Sequence, residues 1–139
     1  MIKRQQGFTL LEIIVVITII AILAAYIAPK VAGRADDARI SKVQNDIQVL
    51  DSAMELYRLD NFEYPSTEQG LQALVSKPSD DLKNWKKGGY VKKLRKDPWG
   101  TDYHYAKPGR NDAEYEIYSS GADKQEGSDD DIGNWNLDL

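Results

Sequence analysis

Cysteine is absent from this 139-residue chain, and histidine occurs once, as His104. The first absence excludes disulfide staples, zinc ribbons and thiol chemistry in any compartment. The second excludes a two-histidine metal site and leaves a catalytic triad without support, so His104 is read as a surface or strand residue. Excess positive charge is lacking too: 18 Lys and Arg stand against 22 Asp and Glu, a formal charge of −4, with a pI near 5.0. No broad cationic field or basic stripe is available to neutralise phosphates, which removes the usual electrostatic source of nucleic-acid binding. Apolar residues make up 42% of the chain, yet about a third of them fall within residues 8–32. From Gly33 onward the chain is only about one-third apolar, enough for a small core and too little for a large buried catalytic chamber.

The long hydrophobic run is therefore the dominant feature. Residues 8–28 are predominantly apolar and end just before Pro29. As a helix at 1.5 Å per residue they reach roughly 31 Å, about the thickness of a bilayer hydrocarbon core. Lys3 and Arg4 precede the run, whereas Arg34 beyond it lies among Asp36 and Asp37, so the positive-inside tendency puts the N terminus in the cytoplasm. A cleavable secretory signal fits less well, because the run exceeds the usual apolar region and carries Glu12, a costly group in lipid. Two readings of Glu12 stand side by side. Thr9-x-x-Glu12 has the spacing of a capping box, and an intramembrane carboxylate has the chemistry to seek a counter-charge.

Gly7-Phe8-Thr9-Leu10-Leu11-Glu12 after a short basic leader, followed by an apolar helix, resembles the class III signal of type IV pilins and pseudopilins. The resemblance implies cleavage between Gly7 and Phe8 by a prepilin peptidase and N-methylation of Phe8. Loss of Lys3 and Arg4 takes the mature chain to about −6 from −4. The new amine at Phe8 would be neutralised by Glu12 of a neighbouring subunit, which makes Glu12 the expected assembly residue.

Pro29 and Gly33 predict a kink or loosened stretch. Beyond it Val43, Ile47, Leu50, Met54 and Tyr57 recur at spacings of four and three, one buried face of an amphipathic helix. Lys42, Asn45, Asp46, Asp51 and Glu55 lie largely on the other side, solvated or, for Asp51 and Glu55, facing a basic residue of another subunit. Residues 61–65 end the helix. Ser66 or Thr67 then caps a short helix carrying Leu71, Leu74 and Val75, which breaks at Pro78. Asp97-Pro98-Trp99-Gly100 reads as a type I turn. Residues 102–106 and 114–119 alternate as strands of an antiparallel hairpin around the turn at 107–112. Tyr103, Tyr105, Tyr115 and Tyr118 suit core and strand pairing better than a stacking platform in so small a domain. The passages from Tyr57 to Leu74 and from Asp97 to Tyr105 closely resemble the major pseudopilin of type II secretion systems.

Residues 120–133 concentrate five acids and one lysine. Composition alone leaves a solvated acidic loop and a calcium site as alternatives, and the EF-hand spacing does not fit. The family resemblance implies one calcium, held by side chains of Asp123, Asp130 and Asp131, with Asp129 an alternative, and by backbone oxygens of Ser120, Gln125 and Ser128.

The expected fold is α+β and type IV pilin-like: a leader at 1–7, a transmembrane helix at 8–28, a periplasmic amphipathic helix at 29–60, and a small globular domain at 61–139. The long helix packs on a small antiparallel sheet. The resemblance implies a non-enzymatic, single-pass inner-membrane subunit that polymerises into a periplasmic pseudopilus and drives export of folded proteins across the outer membrane. Its implied partners are itself, minor pseudopilins, the prepilin peptidase, and an inner-membrane platform with a cytoplasmic ATPase. The chain itself has no phosphate-cradling Gly-x-x-x-x-Gly-Lys motif. Alternatives are a type IV pilin for adhesion or DNA uptake, which the missing cysteines and the acidic loop argue against, and a membrane-anchored calcium-dependent binding module. A hydrolase using Asp130 and Asp131 lacks the fixed carboxylate separation such chemistry needs.

Overall fold

The computed structural model describes residues 7–137, apart from the side chains of Val31 and Ala32. The leader expected at 1–7 lies outside the described residues except for Gly7. Contacts divide the chain at Ala38 and Arg39 into two compact units.

The first unit is the apolar part of helix α1, Leu10–Asn61. Its large side chains are exposed, from Phe8 at 85% to Ile14 at 47%. Length and composition suffice for this helix to cross a membrane. The kink or loosened stretch expected at Pro29 and Gly33 does not interrupt the helix. Helix α1 continues through both positions, because a single proline removes one backbone donor while the turns on either side keep theirs.

In the second unit the rest of α1 buries one face. Val43, Ile47 and Met54 are fully buried and Leu50 and Tyr57 nearly so, which bears out the periodicity at all five positions. Complete burial of such a side chain contributes about 1.5–3 kcal/mol before ordering costs. Tyr64, Leu71, Leu74 and Ile117 complete this core. The helix stops at Asn61, and Phe62 takes a left-handed φ of +68° while its N–H donates to the Arg58 carbonyl at 2.7 Å.

The short helix is a 3₁₀ turn, Leu71–Leu74, and Val75 lies just past it. Neither Ser66 nor Thr67 caps it: the residue at its start is Gly70, with no side-chain cap bond, and Ser66 closes the turn before it, its N–H donating to Gln69 Oε1 at 2.9 Å and its hydroxyl accepting the Gln69 N–H at 3.2 Å. Thr67 instead exchanges two 2.9 Å bonds with the Lys107 backbone, tying this segment to the hairpin turn. The hairpin pairs β1, His104–Ala106, with β2, Glu116–Ser119, in the register Tyr105 opposite Ile117. Both strands start two residues later than their alternation suggests. A third strand, β3, Ile132–Gly133, pairs antiparallel with β2 and makes β2 central. Two residues are too few to leave a periodic signal in sequence.

Candidate functional site

At the processing end, Gly7, Phe8 and Thr9 precede the first helical turn and are exposed, so the Gly7–Phe8 peptide bond stands clear of helical hydrogen bonding. The capping box forms. Glu12 Oε2 accepts the Thr9 N–H at 2.8 Å and the Thr9 hydroxyl at 3.0 Å, and Thr9 Oγ1 accepts the Glu12 N–H at 3.2 Å. Thus Glu12 satisfies helix-end donors within its own chain. Farther along, Thr18 donates its hydroxyl to the Ile14 carbonyl at 2.7 Å, which removes a bare polar group from the apolar run. Lys30 donates to the Tyr26 hydroxyl at 3.0 Å, the pairing of an amphipathic aromatic with a long cation that suits a membrane–water boundary.

In the second unit, polar contacts lock the hairpin to α1 and to the segment that follows it. Tyr103 donates to Asp46 at 2.8 Å, Tyr115 to Asp51 at 3.1 Å and Tyr105 to the Pro65 carbonyl at 2.7 Å. The four tyrosines are core and pairing residues, as expected. Burial foremost pushes the hydroxyls of Tyr103, Tyr105, Tyr115 and Tyr118 far above their ordinary range. Asp51 is also raised, by burial against the opposing bonds from Tyr115 and Asn134. Glu55 takes the Tyr64 hydroxyl at 2.5 Å and Arg58 at 3.2 Å, so both acids have partners inside the chain.

The acidic loop hangs from this sheet. Its root is a carboxylate whose place in the sequence suggests only a turn. Asp97, 5% exposed, accepts the Trp99 N–H at 3.0 Å, the Thr101 N–H at 2.8 Å and the Ser119 hydroxyl at 2.6 Å. The turn itself closes as expected, with the Gly100 N–H on the Asp97 carbonyl at 3.1 Å. His104 stacks on Tyr118 with ring centroids 4.9 Å apart, and Tyr118 donates to Glu126 at 2.8 Å, a second link from strand to loop.

Within the loop, Asp123 and Asp130 converge on one hydroxyl: Ser128 Oγ lies 3.3 Å from Asp123 Oδ1 and 2.5 Å from Asp130 Oδ1. Asp130 also accepts the Ala122 and Asp123 N–H groups at 2.7 and 3.1 Å. The Ser128 hydroxyl foremost, and then these backbone donors, hold its carboxyl below the usual range. Gly121, at φ +64°, permits this approach, since a Cβ there would meet Asp130 at 2.5 Å. The Gln125 N–H donates to Asp123 at 2.8 Å, and Asp129 is exposed. Asp131 is buried. Its Oδ2 accepts the Gly127 N–H at 2.8 Å, while its Oδ1 and the buried Ser120 hydroxyl have no hydrogen-bond partner. All these donors are hard oxygens, the kind calcium takes, and two buried oxygens are left unsatisfied. The chemistry therefore fits. The acids are not gathered into a cage, however: among the described residues no three His, Cys, Asp or Glu side chains are placed together to hold a metal.

A family model described as type II secretion system (T2SS), protein G, matches residues 30–135. The chain belongs to that family. Residues 2–28 match the prokaryotic N-terminal methylation motif. The type II secretion system core protein G of Pseudomonas aeruginosa is 50% identical over 138 residues, covering 96% of each chain. That of Vibrio cholerae is 46% identical over 139 residues, covering 97% of this chain and 94% of its own. The crystal structure of the major pseudopilin from the type 2 secretion system of enterohaemorrhagic Escherichia coli superposes with a TM-score of 0.68 at 45% identity, over 75% of this chain and 92% of that one. The pilin-like α+β fold and the role of major pseudopilin expected from the resemblance both hold, and the type IV pilin alternative is not favoured. Family membership makes this a structural subunit that assembles into a pseudopilus, with an apolar helix suited to inner-membrane anchoring.

Proposed function

We propose that the chain inserts with its N terminus in the cytoplasm and its C-terminal domain in the periplasm, loses residues 1–7 to a prepilin peptidase and is N-methylated at Phe8. Residues 8–28 then anchor it in the membrane and become polymer core, residues 29–60 continue as the periplasmic helix, and residues 61–139 form the outer domain. Minor pseudopilins, the inner-membrane platform and its cytoplasmic ATPase act with it, and the growing pseudopilus drives folded proteins across the outer membrane. The observation that carries this reading is the apolar stretch of α1, exposed along its whole length with Glu12 near its start. Such a surface is stable only in lipid or against copies of itself.

Calcium belongs to the same proposal. Asp123, Asp130 and Asp131, with Asp129 as alternative, would hold it together with oxygens of Ser120, Gln125 and Ser128. A bound ion would supply charge neutralisation in the acidic loop. The chain's own Asp97, Ser119 and Tyr118 keep that loop rooted on β2.

The test of assembly separates the two roles of Glu12. Glu12→Gln keeps a capping-box side chain and removes the charge, whereas Glu12→Ala removes both. Both variants are expected to fold in the periplasm and to fail in filament formation by electron microscopy. Normal filaments from Glu12→Gln would refute the ion pair with the Phe8 amine.

A further inference from the structure

Residues 134–136 continue from β3 as a strap that grips the sheet on one side and the acidic loop on the other. The Asn134 N–H donates to the Ile117 carbonyl at 3.0 Å, and its side-chain oxygen accepts the Ile117 N–H at 3.3 Å. Asn136 holds the loop: its carboxamide oxygen accepts the Gly133 N–H at 2.8 Å, and its carboxamide nitrogen donates to the Asp131 carbonyl at 3.0 Å. Between them Trp135 lies against Gly133, where a Cβ would come within 2.2 Å of the indole ring. The Arg110 guanidinium stacks on that ring 3.8 Å from its centroid and is itself fixed by Glu116 of β2 at 2.7 Å. A guanidinium held by a carboxylate and laid on an indole is a well-oriented contact.

What the strap holds is an unfavourable arrangement. Asp131 is 5% exposed, with one carboxylate oxygen on the Gly127 N–H and the other without a partner, as is the Ser120 hydroxyl, 1% exposed. Unsatisfied buried oxygens are destabilising, so a calcium-free loop left to itself would turn Asp131 out to water. Its backbone is gripped against that movement. The Asp131 N–H donates to the Ser128 carbonyl at 3.3 Å, its own carbonyl takes Asn136, and the next residue, Ile132, is already in β3. The strap thus keeps these oxygens buried in advance, the condition under which a cation binds without reordering its ligands.

Resting on the proposed calcium site, we propose that Asn136 and Trp135 are its positioning residues: by fixing the Asp131 backbone from outside the loop they set how tightly the loop binds calcium. Without that grip Asp131 turns to the surface in most chains, and the apparent affinity falls by the fraction that still hold it inward. Losing a residue that orients a metal ligand costs roughly 10- to 100-fold in affinity. Both side chains lie at the surface of the fold, so they can be replaced with the core intact.

Calcium titration calorimetry on the full-length chain in detergent micelles, well below its melting temperature, compares the parent with Asn136→Ala, Trp135→Ala and Trp135→Phe. Melting of each is recorded in calcium and in chelator. Both alanine variants should bind calcium about tenfold more weakly or worse, and calcium should raise their Tm by less than it raises the parent's. Trp135→Phe keeps a ring between Gly133 and Arg110 and should restore most of the affinity. A strap that only stabilises the fold gives a different result: folded variants keep the parent's Kd, and their Tm falls equally with and without calcium. That outcome would overturn the proposal and leave the calcium site standing, whereas a parent that binds no calcium would remove both. Equal losses from phenylalanine and alanine would overturn the part assigned to the Trp135 ring. Asn136→Ala touches no core residue and decides the matter if Trp135→Ala does not fold.

Discussion

Replacing Phe62 with glycine should stabilise the folded domain, although it deletes the largest exposed side chain at the end of α1. A side chain in the left-handed region costs roughly 1–2 kcal/mol through its Cβ, and Phe62 sits there at φ +68°. Glycine removes that cost but gives the unfolded chain more freedom, which takes back about 0.5–1 kcal/mol. Lost burial adds little. Phe62 is 85% exposed, and unfolded chains already bury roughly 10–40% of the surface an extended chain would show. The net gain is about 0.5–1 kcal/mol, or roughly 2–6 °C in Tm for a domain of this size. Thermal and urea unfolding of a soluble fragment, residues 33–139, measures it. Phe62→Ala is the control, because alanine keeps the Cβ and with it the backbone cost, so its Tm should stay within about 2 °C of the parent. Destabilisation by glycine beyond about 0.5 kcal/mol, or equal shifts for alanine and glycine, would refute the assignment of the strain to Phe62.

The same fragment should melt higher in calcium and lower with a chelator. At a hundredfold excess over Kd the gain is about 2.7 kcal/mol, and an unchanged Tm at saturating calcium would remove the site. Alkaline pH should unfold the domain cooperatively. Burial and the Glu55 bond push the Tyr64 hydroxyl up to about 12, and Tyr103, Tyr105, Tyr115 and Tyr118 are raised by burial as well. Their protonated forms favour the fold fully below pH 10, the ordinary value, and that stability is lost as pH climbs from there towards 12. Tyrosinate absorbance should therefore rise together with loss of circular dichroism, and smooth ionisation near the ordinary value with the fold intact would contradict the burial argument. Asp97→Ala should cost about 3 kcal/mol, because two backbone N–H groups and the Ser119 hydroxyl lose a charged acceptor. A loss under about 1 kcal/mol in urea unfolding would show the network to be dispensable.

Much of the fold was legible because its causes are local. The five-residue apolar stripe of α1, the stop near Asn61, the turn at Asp97 and the place of the hairpin each arise from side chains a few residues apart, although burial along the two strands does not alternate. The capping box at Thr9 and Glu12 was legible from spacing, and it is the form Glu12 takes within one chain. Ser66 and Thr67 were interchangeable as caps in sequence. The structure makes neither the cap of the short helix, because Ser66 pairs with Gln69 in the turn before it and the Lys107 backbone claims Thr67 from forty residues away.

By itself the sequence determined the membrane-length apolar run, the processing motif, the helix face that must be buried, and the oxygen-rich loop that cysteine-free chemistry leaves available for a cation. These depend on composition and on periods of two and 3.6 residues, which survive without knowledge of distant contacts. Tertiary structure alone decided which polar groups are buried and paired: Asp97 with Ser119, Tyr103 with Asp46, Tyr115 with Asp51, and Asp131 turned inward with one oxygen unsatisfied. The same is true of the two-residue strand that makes β2 central. A hydrogen bond between residues 22, 57 or 64 positions apart leaves no periodic trace in the chain, since its partners meet only after the apolar face has chosen its packing.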